Sequence, residues 1–231
     1  TWKPYNGEND SNNSLKVASH LYLTKDTTYT KGKTFLLSYR NVCFNFNGYD
    51  LTVNQCGFAT SQTINFVDTY GGSVITGYGT STGGAGAVSS NSVNAHYNLY
   101  GGTWTKTTDN PGSNAAYFGT QGGEINLYDG AVIDGAGDVS SERGGALRMV
   151  GGYSSSNAMQ KATFNMYGGV IRNGNVNVGV PGDAYMGCAF FNMYGGTIES
   201  NVYVNNKASF TMNGGTITGN LTAATDTKIT L

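Results

Sequence analysis

One segment, FNMYGGVIRNGN at residues 164–175, belongs to a pattern that returns through most of the chain and limits its possible folds. The pattern recurs as FNMYGGTIESN at 191–201, FTMNGGTITGN at 210–220, YNLYGGTWTKT at 97–107 and INLYDGAVIDG at 125–135, with weaker copies at 44–54 and 69–79. The copies are irregularly spaced, so a fixed structural unit must tolerate insertions at its corners. This behaviour is typical of solenoid proteins.

Each copy alternates apolar and polar residues before a glycine pair, as a strand followed by a bend requires. A second strand follows the bend, and a third fits between copies. We therefore predict an all-β fold, a right-handed parallel β-helix with three short strands per coil and about seven to eight coils. We predict that residues 16–231 form this single domain, with 1–15 as a linker or entry segment, and that the chain is part of a longer protein.

Stacked coils place equivalent residues of successive copies above one another, about 4.8 Å apart. The predicted inward columns are Phe164, Phe191 and Phe210 with Tyr97 and Ile125; Leu99, Leu127, Met166, Met193 and Met212; and Trp104, Val132, Ile171, Ile198 and Ile217. The predicted outward columns are an asparagine ladder of Asn45, Asn98, Asn126, Asn165 and Asn192, closed by Thr211, and a tyrosine column of Tyr100, Tyr128, Tyr167 and Tyr194. Arg172 and Glu199 share one outward position, which predicts an exposed ion pair.

Charged residues make up only 12% of the chain, and the formal net charge is −1 with no basic run. Nucleic acids and anionic membranes both require a Lys/Arg footprint, so neither is an expected partner. No apolar stretch approaches the roughly 18 residues of a membrane span, which argues against membrane insertion. The cysteines leave open a Cys43–Cys56 bridge or three buried free thiols with Cys188, and the thiols are favoured because small cysteines are often buried.

The GG-[TV]-I-x-x-N units, each preceded by F-x-[ML]-[YN], resemble the β-helical repeat regions of bacterial cell-surface and adhesin-like proteins. The opening segment, which ends in NFNGYDLTV, looks like the first coils of pectate-lyase-like folds. The resemblance implies an extracellular protein, secreted or at the cell surface. It also implies an adhesive or stalk module whose partner is a glycan or a host protein. Such a motif recurs for stacking reasons, so it is specific for architecture rather than for activity.

The candidate binding residues are the outward ones: Tyr100, Tyr128, Tyr167, Tyr194 and Arg172. Tyrosine rings at equal spacing form a rigid, partly apolar surface with hydroxyl groups, which sugars and protein partners both use. The competing interpretation is that the stacked rings only shield strand edges. Loops within 135–160 are the second candidate surface, because solenoids usually keep their specificity in such insertions.

A carbohydrate-active enzyme, either a polysaccharide lyase or a glycoside hydrolase, is the alternative function on this fold. Hydrolysis needs two carboxyl groups about 5–9.5 Å apart. The candidates by position are Asp134, Asp138 and Glu142, with Arg143 and Arg148 as lyase-type bases or charge neutralisers. These residues lie partly in a Gly/Ser-rich segment, so the sequence favours solvated loop charges and a function without catalysis.

The sequence predicts no cofactor and no metal site built from histidine or cysteine. His20 and His96 are far apart, and neither has a partner at a ligand-like spacing. A loop calcium site remains open, because such a site needs only acidic side chains and backbone carbonyls.

Overall fold

The computed structural model describes residues 1–5, 19–29, 41–53, 62–76, 85–107, 113–139, 145–182 and 187–231. Within these residues every regular element is a strand and none is a helix, which confirms the all-β prediction. In chain order they are β1 (Lys3–Tyr5), β2 (His20–Leu23), β3 (Thr27–Tyr29), β4 (Val42–Asn45), β5 (Leu51–Val53), β6 (Thr63–Val67), β7 (Ser73–Thr76), β8 (Ala85–Ser90), β9 (His96–Leu99), β10 (Gly102–Lys106), β11 (Ser113–Phe118), β12 (Gly123–Leu127), β13 (Ala131–Asp138), β14 (Leu147–Met149), β15 (Gly152–Tyr153), β16 (Met159–Gln160), β17 (Ala162–Met166), β18 (Val170–Gly174), β19 (Val176–Val178), β20 (Ala189–Met193), β21 (Thr197–Ile198), β22 (Val202–Val204), β23 (Ser209–Met212), β24 (Thr216–Ile217), β25 (Leu221–Ala223) and β26 (Lys228–Thr230).

The strands form three parallel sheets and one small antiparallel pair. Sheet A has ten strands in the order β1-β2-β4-β6-β9-β12-β17-β20-β23-β26. Sheet B has eight, β3-β5-β7-β10-β13-β18-β21-β24, and sheet C has six, β8-β11-β14-β19-β22-β25. From β6 onward the described strands belong to sheets A, B and C in turn, and among them only the pair β15–β16 interrupts this order. In this order the chain adds one strand to each of the other two sheets before it returns to pair in parallel with the earlier strand. The arrangement is compatible with the predicted β-helix.

The core consists of the inward columns, where like residues stack on like. Phe164, Phe191 and Phe210 lie in register on neighbouring strands with ring centroids 5.0 and 5.1 Å apart. The Leu99 and Met166 column is also in the predicted register. Alternation along each strand is sufficient to produce this core, since every second side chain faces the same way.

One core position was predicted wrongly. Ile133, not Val132, pairs with Trp104 and Ile171 and is fully buried, whereas Val132 is half-buried. The copy at 125–135 contains one more residue between its tyrosine and its second strand than the neighbouring copies have. This residue moves the second strand by one position, and a shift of one exchanges the two faces of a strand.

The glycine pairs that follow Tyr100, Tyr167 and Tyr194 lie at the bend between sheets A and B. Gly169 has φ +74°, and a Cβ there would lie 2.5 Å from the carbonyl oxygen of Ala131. Left-handed backbone and close approach of the preceding unit both require glycine at this position. The recurring glycine is therefore structural.

Several predicted boundaries differ in the structure. Lys3–Tyr5, inside the predicted linker 1–15, forms a strand that pairs with β2, and Tyr5 is buried. Residues 135–138, predicted as loop, extend β13 beyond a bulge, whereas 152–160 do form a hairpin beside the three sheets. Within the described residues Cys43 and Cys188 form no disulfide with each other, and Cys56, the other half of the bridge that the sequence left open, lies outside the described residues.

Candidate functional site

The outer face of sheet A carries the asparagine ladder. Side-chain Nδ2 groups donate to the Oδ1 of the preceding rung at 2.8 Å from Asn98 to Asn65, 2.9 Å from Asn126 to Asn98, 2.8 Å from Asn165 to Asn126 and 2.9 Å from Asn192 to Asn165. The bonds fix the amide orientation, because Asn98, Asn126 and Asn165 each both donate and accept. Asn126 and Asn165 are only 6% and 8% exposed, so the ladder lies low on the face.

The first predicted rung, Asn45, is not part of this ladder. Asn45 pairs with Val67, whereas Cys43 pairs with Asn65 and thus occupies the ladder position of its strand. The motif at 44–54 is displaced by two residues relative to the later copies. Within the described residues the first rung of the ladder is Asn65, which was not predicted from the sequence.

The tyrosine column runs beside the ladder, two residues further along each strand. Ring centroids are 4.4 Å apart for Tyr100 and Tyr128, and 5.1 Å apart for both Tyr128–Tyr167 and Tyr167–Tyr194. Interplanar angles of 8–18° make the rings nearly parallel. The predicted column is confirmed, and Tyr100, Tyr167 and Tyr194 are 42%, 45% and 47% exposed.

The stacking changes what these rings can offer to a partner. The two inner rings, Tyr128 and Tyr167, are covered by a neighbouring ring on both faces, so they present ring edges and hydroxyl groups to solvent rather than open aromatic faces. Partial burial, with the neighbouring phenol Tyr100 as the next cause, raises the pKa of Tyr128 to about 12. Burial and Tyr194 also raise the pKa of Tyr167. Both hydroxyls therefore stay protonated at physiological pH and can donate hydrogen bonds.

On the other side of the ladder, two residues earlier along each strand, lies a row formed by Thr63, His96, Glu124, Thr163 and Phe190. The carboxylate of Glu124 accepts a bond of 2.8 Å from the amide of Asn126 and lies 3.6 Å from Nδ1 of His96. The low ladder between this row and the tyrosines forms a shallow channel along sheet A. We call it the ladder groove, with Asn98, Asn126, Asn165 and Asn192 as its floor.

The predicted ion pair of Arg172 with Glu199 is wrong. Nε of Arg172 instead donates to Asp134 Oδ2 at 2.8 Å, and Asn173 donates to the same carboxylate. Arg172 lies on sheet B, away from the ladder groove. A guanidinium already paired with a carboxylate is a weaker candidate for partner binding than the sequence predicted.

The candidate catalytic residues that the structure describes lie on two sheets, with Asp134 and Asp138 on β13 of sheet B and Arg148 on β14 of sheet C. Asp134 is paired with Arg172, and Asp138 is paired with the buried ammonium of Lys106. Arg148 lies on sheet C, in register with Tyr117 and Asn177. Glu142 and Arg143 lie outside the described residues. Both described acids therefore serve ion pairs within the fold.

No cluster of three or more His, Cys, Asp or Glu residues able to hold a metal ion occurs in the described part of the chain. The same part contains no helix long and apolar enough to cross a membrane.

The chain matches no known protein family, no curated protein and no solved structure. The resemblance to surface repeat proteins therefore rests on the repeat motif alone.

Proposed function

We propose that the chain is an adhesive module of an extracellular protein, secreted or displayed at a cell surface, that binds a glycan along the ladder groove. We propose also that residues 16–231 form a right-handed parallel β-helix of about seven to eight coils. Among the described residues sheet B has eight strands, which supports this number of coils, while sheets A and C have ten and six. Successive strands belong to the three parallel sheets in a repeating order, and this order supports the β-helix.

The observation that carries the proposal is the chemistry of the ladder groove. Its floor is a row of amides and one wall is a row of phenol hydroxyl groups. Amides and hydroxyls both donate and accept hydrogen bonds, as sugar hydroxyls do. The floor carries no charge, so a polyhydroxylated chain can exchange its water contacts for protein contacts without desolvating an ion.

The geometry suits an extended partner rather than a compact one. A ladder asparagine and a column tyrosine recur on β9, β12, β17 and β20 of sheet A, so one linear glycan would meet the same set of groups several times. Several weak contacts along one chain give useful avidity without a deep pocket. Because both faces of Tyr128 and Tyr167 are covered, we expect hydrogen bonds to the phenol hydroxyls and edge contacts, rather than sugar stacking, to dominate along the column.

The test is glycan binding by the double variant Tyr167→Ala/Tyr194→Ala. We expect the wild type to bind at least one polysaccharide on a glycan array, and the variant to bind it about tenfold more weakly, the effect of roughly 1.4 kcal/mol. Isothermal titration calorimetry with the identified oligosaccharide measures the affinity. A thermal melt checks that the variant is folded.

Tyr70→Ala is the matched control, because Tyr70 is 76% exposed and does not belong to the stacked column. Its affinity should equal that of the wild type. The proposal fails if no glycan binds, or if the double variant binds as well as the control. Capture of a host protein that the double variant no longer binds would replace the glycan with a protein partner. Release of shorter sugars would instead support the polysaccharide lyase or glycoside hydrolase.

A further inference from the structure

A small pocket opens at the margin of the ladder groove, where the hairpin β15–β16 meets the N-terminal ends of β9, β12 and β17 in sheet A. Its volume is about 250 Å³, and its lining includes Val93, His96, Glu124, Met159, Lys161 and Thr163. His96, Glu124 and Thr163 belong to the row beside the ladder, so the pocket is continuous with the groove. Val93 and Met159 are exposed apolar side chains on its wall.

The pocket contains two charged groups, the Glu124 carboxylate and the Lys161 ammonium, which differ in the partners that the protein provides for them. The Glu124 carboxylate accepts the amide of Asn126 and faces His96. The Lys161 ammonium lies 5.5 Å from the centroid of the Phe190 ring, and within the described residues it forms no ion pair. A cation over an aromatic face is stabilised only modestly when exposed. The charge available to a ligand is therefore the positive one.

We infer that this pocket receives an anionic substituent of a sugar, a carboxylate or a sulfate ester, from the glycan bound in the ladder groove. The inference rests on the proposed glycan binding and narrows it to acidic glycans. The anionic group lies against Lys161, while hydroxyls of the same sugar bond to Glu124 and His96. Val93 and Met159 contact the C–H surface of the ring. The opposite orientation would place the anion beside Glu124, where like charges repel.

The experiment compares three oligosaccharides of equal length and linkage, one neutral, one bearing uronic acids and one bearing sulfate esters. Affinities are measured by calorimetry for the wild type, Lys161→Met and Lys207→Met. Lys161→Met keeps an unbranched apolar side chain of similar length but removes the charge. Lys207 is an exposed lysine at the equivalent strand position two units further on, so it is a matched control.

We expect at least one anionic ligand to bind the wild type about fivefold more tightly than the neutral ligand, the size of one exposed charge pair. The advantage should disappear in Lys161→Met, persist in Lys207→Met and shrink as salt is raised. The preferred anionic ligand identifies the group. If the neutral ligand binds equally well, or the advantage survives in Lys161→Met, the pocket assignment is overturned but groove binding stands. If none of the three binds, the pocket assignment is overturned, and groove binding also fails if the glycan array finds no ligand.

Discussion

Phe191→Ala is expected to lower the free energy of unfolding by about 3–5 kcal/mol. Phe191 is fully buried and lies between Phe164 and Phe210, with ring centroids 5.0 and 5.1 Å away. Truncation removes the buried ring and both stacking contacts, and the rigid strands on either side cannot close the cavity. Urea unfolding followed by circular dichroism measures the change as a lower midpoint.

The neighbouring residue supplies the control for this prediction. Phe190 is half-buried and points to the outer face of sheet A, so Phe190→Ala should cost less than about 1 kcal/mol. Similar losses for the two variants would contradict the predicted alternation of β20. A larger loss for Phe190→Ala would mean that the strand is turned over.

Asn165→Asp is expected to lower the free energy of unfolding by about 3 kcal/mol at neutral pH, because it buries an unpaired charge. Asn165 donates to Asn126 Oδ1 and accepts from Asn192. Aspartate keeps the acceptor but loses the donor, so two oxygens would face each other across the rung. Burial and this contact raise the pKa of the new carboxyl group. The loss is therefore full above the folded pKa and should shrink as the pH falls towards about 4, where protonation restores a donor.

Asn213→Asp is the control for the ladder variant. Asn213 is exposed, beyond the end of the tyrosine column, and its substitution should change stability by less than about 0.5 kcal/mol. Chemical unfolding at pH 7 and pH 4 measures both variants. A pH-independent loss for Asn165→Asp, or none, would contradict a ladder whose rungs depend on alternating donors and acceptors.

The sequence predicted the core and the tyrosine column because stacking requires like residues at equal positions. Phe164, Phe191 and Phe210 could be placed from the motif without any knowledge of distance. Ile133 was missed because a one-residue insertion changes the face that a strand presents. Asn45 was wrongly assigned to the ladder because its motif is displaced by two residues rather than by one. A shift of two residues preserves the face, so the alternation cannot distinguish Asn45 from Cys43 as the ladder position.

The repeat could not predict which acidic residue forms the ion pair with Arg172. Asp134, Arg172 and Glu199 are equivalent in successive units, so the column allows Arg172 to bond on either side, and the structure selects Asp134. The pocket near His96 was missed for a related reason. Glu124 and Thr163 could have been found two residues before each ladder asparagine, but Met159 reaches them only because 152–160 fold as a hairpin beside sheet A.

The most direct test of glycan binding along the ladder groove is to map which residues a bound glycan contacts. Side-chain amide signals of asparagine can be followed by nuclear magnetic resonance while a binding oligosaccharide is added. The account predicts that the signals of Asn126, Asn165 and Asn192 shift together and saturate with the affinity measured by calorimetry. Saturable shifts confined to residues 135–160 or to the surroundings of Arg148 on sheet C, with the ladder amides unchanged, would contradict it.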